Sequence, residues 1–115
     1  MQYFRTAIAV AMLALCAPAA MAGWALDAMH GAWSERPSCD SPGRWDVFGD
    51  RIQFAWPGRP VDVERVISER DNTIETIGVS PEIMGRRYTY VVGFDRQSVL
   101  IVDHSQGTEE LVRRC

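Results

Sequence analysis

The chain has 115 residues, which is room for one domain. Its 12 basic residues are all arginine and face 15 acidic residues, so the formal net charge is −3. Apolar residues make up 47% and charged residues 23%, a globular composition that argues against disorder. The acidic balance also argues against a nucleic-acid-binding module, because no excess positive charge is left to neutralise phosphates.

Residues 1–22 have the layout of a secretory signal peptide. Arg5 is the only charged residue among them, and the eleven residues 6–16 are apolar or nearly so. Ala20-Met21-Ala22 matches the A-x-A cleavage pattern and places the cleavage before Gly23. The apolar segment reaches only about half of the roughly 30 Å that a membrane-spanning helix must cross. We therefore predict export to the periplasm or the exterior, with no membrane span after signal removal.

Residues 23–115 are predicted to form a single small domain with one disulfide bond. This segment has 11 Arg and 15 acidic residues, and its cysteines are Cys39 and Cys115. An even pair of cysteines in an exported chain predicts a bond between them, although a free thiol or an intermolecular bridge is the alternative. The bond closes a loop of about 77 residues, worth about 4–5 kcal/mol of unfolding free energy in the loop-entropy model. Two cysteines and two distant histidines are too few ligands for a metal site, so no metal is predicted.

The first predicted element is a short helix or helical turn after Gly23. Leu26, Met29, His30 and Trp33 recur at steps of three and four residues, the spacing of one helix face. A loop follows over residues 34–43, which contain Pro, Ser and Gly around the first cysteine.

After this loop the apolar period changes from 3.6 to 2, which predicts a series of strands. Tyr88, Tyr90, Val92 and Phe94 share one strand face, and the phase slips after Val63, which predicts a bulge near Glu64-Arg65. The predicted strands are 45–48, 51–56, 61–69, 73–79, 86–94, 98–103 and 108–115. Turn residues recur every 8–12 positions. This spacing predicts an all-β fold, a small antiparallel barrel or sandwich of six to seven strands with one N-terminal helix.

No group of residues predicts catalysis. Asp103-His104-Ser105 has the residue types of a hydrolase triad, but neighbours on an extended chain point to opposite sides and cannot converge. The acidic residues mostly fall on turns or polar strand faces, and no spacing singles out a pair. The isolated Gly78 and Gly85 form no phosphate-binding loop. We therefore predict neither an enzyme nor a cofactor.

The loop over residues 80–88 is the first candidate binding site. It carries Met84, Gly85, Arg86, Arg87 and Tyr88. Met, Arg and Tyr are enriched at the centres of protein interfaces. The alternative is that these arginines lie on solvated strand faces and pair with local acids. The first hypothesis predicts a non-catalytic module that binds a protein partner, as an inhibitor or immunity protein does.

The tryptophans support a second hypothesis, a carrier of a small apolar ligand. Trp33, Trp45 and Trp56, with Tyr90, either fill the core or line a cavity that grips a ligand by stacking and burial.

Gly85-Arg86-Arg87-Tyr88, with an early and a late cysteine, resembles the small periplasmic and lipid-anchored inhibitors of C-type lysozyme. In that family a Ser-Gly-x-x-Tyr loop on a small β-barrel enters the lysozyme cleft, and Met84 stands here where the family has serine. The resemblance implies a stapled barrel that binds a protein through this loop.

Gly31-Ala32-Trp33, which precedes the run of strands, resembles the G-x-W motif near the start of lipocalins. In that family the tryptophan plugs one end of a ligand-holding barrel. This resemblance implies the same position for Trp33.

Overall fold

The structure, a computed structural model, describes residues 21–36 and 38–115 as an antiparallel β-barrel. The elements are β1 (Met21–Gly23), α1 (Ala25–Met29), β2 (Gly31–Ser34), β3 (Arg44–Phe48), β4 (Arg51–Ala55), β5 (Asp62–Asp71), β6 (Thr73–Gly78), a 3₁₀ turn (Pro81–Ile83), β7 (Arg87–Val92), β8 (Ser98–Asp103) and β9 (Thr108–Arg114). Strands β2 to β9 pair in sequence order, and β9 also pairs with β2. The barrel is therefore closed by eight strands, while β1 lies parallel to β5 beside it.

The predicted all-β class, the short N-terminal helix and the Cys39–Cys115 disulfide are confirmed. The strand count was too low, because β1 and β2 have only three and four residues and show no alternation long enough to detect. The predicted signal peptide lies outside the described residues, apart from the backbones of Met21 and Ala22 in β1. No helix in the described part of the chain is long and apolar enough to cross a membrane.

The helical spacing of apolar residues in the sequence continues past the end of the helix into the next strand. Helix α1 ends at Met29, and Trp33 lies on β2 rather than on the helix. Gly31, with φ at +122°, begins that strand in a conformation that L-residues with side chains rarely adopt. The apparent helix face of Leu26, Met29 and Trp33 therefore combines side chains of two elements that both pack at one end of the barrel.

The bulge in β5 lies between Val66 and Ser68, not near Glu64-Arg65 as predicted. The first half of the strand therefore turns Asp62 and Glu64 inward, and Val61 is 44% exposed. The prediction failed because it assigned the apolar residues of this segment to the interior. In β7 the inward face of Tyr88, Tyr90 and Val92 is confirmed, but Phe94 lies in the following turn and is 83% exposed.

One end of the barrel, here called the closed end, is filled by α1 and Trp33. The Trp33 ring is fully buried, and its Nε1–H donates to the Met29 carbonyl over 2.7 Å. The Arg114 guanidinium lies 4.3 Å from the centre of this ring and donates to the carbonyls of Ala28, His30 and Arg96. These contacts tie the end of α1 to β2 and β9.

The opposite end, here called the open end, is bounded by the loops 56–61, 79–86 and 104–107. The disulfide ties Cys39, in the chain that follows β2, to Cys115, which follows Arg114 at the end of β9, with 5.3 Å between the two Cα atoms. The Cys115 N–H also donates to the Ala32 carbonyl over 2.9 Å. The covalent bond therefore fastens β9 and the chain that leaves β2 where the barrel closes.

Candidate functional site

A cavity of about 360 Å³ occupies the interior at the open end. Its lining residues come from β3, β4, β5, β7, β8, β9 and the loops at the mouth: Trp45, Phe54, Arg59, Asp62, Glu64, Glu82, Ile83, Arg86, Tyr88, Tyr90, Ile101, Asp103, Gln106, Thr108 and Glu110. The barrel register orders these residues by depth. Tyr88, Asp103 and Thr108 form one row near the mouth, and Tyr90, Ile101 and Glu110 form the next row inward.

Aromatic side chains form part of the cavity wall. Trp45 and Phe54 are cross-strand neighbours with ring centres 4.5 Å apart, and Tyr88 and Tyr90 face them from β7. Such surfaces bind ligands by burial and stacking. The cavity lies within the range of about 300–1,000 Å³ typical of sites for small organic molecules.

Glu64 is the most unusual residue of the cavity, because glutamate is rarely buried and this one is only 4% exposed. Its Oε1 accepts hydrogen bonds from Thr76 Oγ1 over 2.7 Å and from the Tyr90 hydroxyl over 2.6 Å. Burial raises the pKa of Glu64 from 4.5 to about 7, against the opposing effect of these two hydrogen bonds. Glu64 therefore exchanges its proton near neutral pH, donating a hydrogen bond when protonated and attracting a cation when ionised.

The two tyrosines remain neutral under the same influence. Burial, reinforced by the negative charge of Glu64, raises the pKa of Tyr90 well above its usual range and that of Tyr88 to about 12. Both hydroxyls are therefore hydrogen-bonding groups and not proton acceptors at physiological pH.

Asp62 supplies a second carboxyl group, two residues nearer the mouth than Glu64. Its Oδ1 is buried and has no hydrogen-bond partner among the described residues. By contrast, Asp103 Oδ1 accepts from the backbone and hydroxyl of Ser105, over 2.9 and 2.7 Å. Asp103 therefore holds its turn, whereas Asp62 Oδ1 is left without a hydrogen bond from the described residues.

The loop 79–86 forms part of the mouth and is fixed by backbone contacts. A Cβ on Gly78 would lie 2.1 Å from the Ile83 carbonyl oxygen, so only glycine permits the loop to fold back this closely. Gly78 N–H donates to the Arg86 carbonyl, and Ser80 Oγ accepts from the Val63 N–H. These contacts bury Ile83 and place Arg86 at the mouth of the cavity.

The residues predicted on loop 80–88 divide between two surfaces. Met84 is 64% exposed, and Gly85 and Arg87 are also exposed on the rim. Arg86 and Tyr88 instead line the cavity, and Tyr88 is only 9% exposed. The loop does not present all five residues to one partner.

The predicted aromatic cavity is brought together only in part. Trp45 and Tyr90 belong to its lining. Trp33 lies at the closed end, and Trp56 is 40% exposed beside Phe54 near the mouth, so neither belongs to the lining. Spacing along the chain could not distinguish the two ends of the barrel.

Asp62 and Glu64 were missed by the sequence reasoning. The available signal was that they share the phase of Val66 at steps of two residues, which places all three on one strand face. Acidic residues in a strand are usually exposed, so the sequence analysis placed the valines of this segment inside and these two acidic residues outside.

No protein-family model matches the chain, and no curated protein or solved structure matches it either. In residues 21–36 and 38–115, no three His, Cys, Asp or Glu side chains are grouped closely enough to hold a metal ion. The carboxyl groups of the cavity are therefore spread around its wall.

Proposed function

We propose that this protein is a non-catalytic binding protein that holds a small ligand in the cavity at the open end. One observation carries the proposal: the buried carboxyl group of Glu64 faces a cavity with aromatic walls. Burying an acidic group reduces stability unless the charge is lost or balanced. A ligand offsets this loss of stability, because it supplies interactions that the buried carboxyl group otherwise lacks.

The compartment that we propose is the periplasm or the exterior. The predicted signal peptide supports export, and a disulfide bond persists best in an oxidising environment.

The test is a titration with Prodan, a neutral naphthalene dye whose emission shifts to the blue in apolar surroundings. Two variants of adjacent residues on β9 provide the comparison. Thr108→Trp fills the mouth of the cavity, whereas Glu109→Trp adds the same side chain at an exposed residue outside the lining.

We expect a saturable blue shift with the wild type and with Glu109→Trp, and its loss with Thr108→Trp. Circular dichroism of both variants establishes that the fold is retained. A wild type that gives no saturable shift, or a Thr108→Trp variant that binds the dye as the wild type does, contradicts the proposal.

A protein partner on the rim is the second candidate function, favoured by the exposure of Met84 and Arg87. Met and Arg are frequent in interfaces. A C-type lysozyme is the partner that the sequence resemblance suggests. If it binds this rim, the wild type inhibits its lysis of bacterial cell walls and Met84→Ala with Arg87→Ala relieves the inhibition. Undiminished lysis at micromolar concentrations of the wild type removes this candidate.

A further inference from the structure

We infer that the ligand of the cavity is a small organic cation, a protonated amine attached to a flat apolar body. The inference rests on the proposed function, since it names the class of ligand that the same cavity accepts. It is carried by the distribution of charge, by the unsatisfied carboxyl oxygens and by the aromatic walls.

The cavity has more acidic than basic side chains. Its lining includes five carboxyl groups, those of Asp62, Glu64, Glu82, Asp103 and Glu110, and two guanidinium groups, those of Arg59 and Arg86. Among the described residues the ion pairs are Arg44–Asp46 and Arg51–Asp50, and none of these four side chains belongs to the lining. The acidic groups of the cavity thus have no ion pair within the described chain.

The deep part of the cavity is the more acidic part. Arg59 and Arg86 lie at the mouth together with Asp62, Glu82 and Asp103, whereas the charged residues deeper along the strands are Glu64 and Glu110. The deep end therefore favours the positive group of a ligand. An anion of the same size would meet the carboxyl groups at the deep end and be repelled there.

The carboxyl oxygens offer an ammonium group its hydrogen bonds. The hydrogen bonds found for Glu64 both end on Oε1, which leaves Oε2 for a ligand, and Asp62 Oδ1 is buried without a partner. An ammonium group has three donors and no acceptor, so it satisfies such oxygens without creating a new unpaired group. Charge-assisted bonds of this kind are stronger than neutral ones.

The walls suit the rest of such a ligand. The lining includes the aromatic side chains of Trp45, Phe54 and Tyr88, and aromatic rings attract cations as well as flat apolar groups. A bare metal ion fits less well, because within the described residues the acidic groups are too dispersed to surround it. A molecule long enough to reach from the deep carboxyl group to the aromatic walls uses both features.

Three probes with the same body separate charge from shape: 3-phenylpropylammonium, 3-phenylpropanol and 3-phenylpropionate. Isothermal titration calorimetry at pH 8 and low salt gives the dissociation constant of each. At this pH the carboxyl group of Glu64, with its pKa of about 7, is ionised, and the amine keeps its proton. Glu64→Gln is the test variant, and Glu75→Gln, an exposed acid on β6, is the matched control.

We expect the wild type to bind the ammonium probe at least about tenfold more tightly than the alcohol or the carboxylate, the effect of one charge-assisted hydrogen bond. Glu64→Gln removes that preference and leaves the alcohol unaffected, while Glu75→Gln behaves as the wild type. If Glu64→Gln fails to fold, the inference is tested by the preference of the wild type for the ammonium probe and by the loss of that preference in Asp62→Asn.

Equal or tighter binding of the alcohol or the carboxylate by the wild type overturns the inference. An ammonium preference that survives in a folded Glu64→Gln variant overturns it as well, and so does one that survives in Asp62→Asn if Glu64→Gln does not fold. If Prodan still binds in either case, the proposed function stands and only the ligand class is wrong. If neither Prodan nor any of the three probes binds, both proposals fail.

Discussion

The two ends of this barrel use the same kinds of residue in opposite ways. At the closed end Arg114 covers Trp33 and donates to three backbone carbonyls. At the open end Glu64 is buried and accepts two hydrogen bonds, both on Oε1, and Asp62 Oδ1 has no partner within the described residues.

This difference teaches how to separate structural from functional polar groups. A buried polar group that is fully hydrogen-bonded stabilises one arrangement of the chain. A buried group left incomplete lowers stability, so its presence beside a cavity points to a partner from outside. In this barrel the polar contacts of the closed end stabilise the fold, and the incomplete ones of the open end are the basis for the ligand that we propose there.

The largest expected effect is at the closed end. Trp33→Ala removes a fully buried ring and should lower the free energy of unfolding by about 3–5 kcal/mol. Trp56→Ala, which removes a ring that is 40% exposed, is the control and should cost much less. Urea denaturation measures both changes. Equal costs would show that the closed end does not hold the fold together more than the rim does.

Glu64 should make stability depend on pH. Its pKa is 4.5 unfolded and about 7 folded, so between these values the folded chain holds a proton that the unfolded chain has released. The contribution of Glu64 to the unfolding free energy therefore falls as pH rises from about 4.5 to about 7, by about 3 kcal/mol in all.

Glu64→Gln keeps the shape of the side chain and lacks this titration. The difference in unfolding free energy between the variant and the wild type should increase from pH 4.5 to 7 and stay constant above pH 7. Denaturant titrations at several pH values measure it. Parallel profiles for the two proteins would contradict the assignment of a raised pKa to this residue.

A smaller effect is expected from the side chain of Arg114, which donates to three backbone carbonyls at the closed end. Arg114→Leu leaves the carbonyls of Ala28, His30 and Arg96 without this donor and should cost about 2 kcal/mol. Its neighbour Arg113 is exposed, so Arg113→Leu should change stability by no more than about 0.5 kcal/mol. Thermal denaturation of the two variants compares them, and equal melting temperatures would contradict this role of Arg114.

Much of the fold could be predicted from the sequence because local rules are strong in short antiparallel strands. The turns and the alternation of Tyr88, Tyr90 and Val92 located β7 and its inward face, and the residues of β8 were predicted as observed. The number of cysteines sufficed for the disulfide. Closure of the barrel was not accessible in this way, because it depends on pairing between β2 and β9, which are far apart in the sequence.

The cavity was harder to predict than the fold for a physical reason. A pattern search assumes that apolar residues face inward, and the cavity is where Asp62 and Glu64 break this rule. The bulge after Val66 also shifts the alternation of β5 by one residue. The alternation in the second half of the strand therefore does not predict which residues of the first half face inward. Trp45 and Tyr90 were found because they obey the rule, and the carboxyl groups were missed because they do not.

The measurement that tests the contrast between the ends most directly is a ¹H–¹⁵N NMR titration with 3-phenylpropylammonium, followed through the indole N–H signals of the tryptophans. We predict saturable shifts for Trp45, which lines the cavity, together with the backbone amides of Tyr88 and Tyr90. Trp33, whose indole N–H is held by the Met29 carbonyl at the closed end, should not move. Shifts centred on Trp33 or on the exposed outer residues Phe48 and Leu111, or the absence of any saturable shift, would contradict a binding site at the open end.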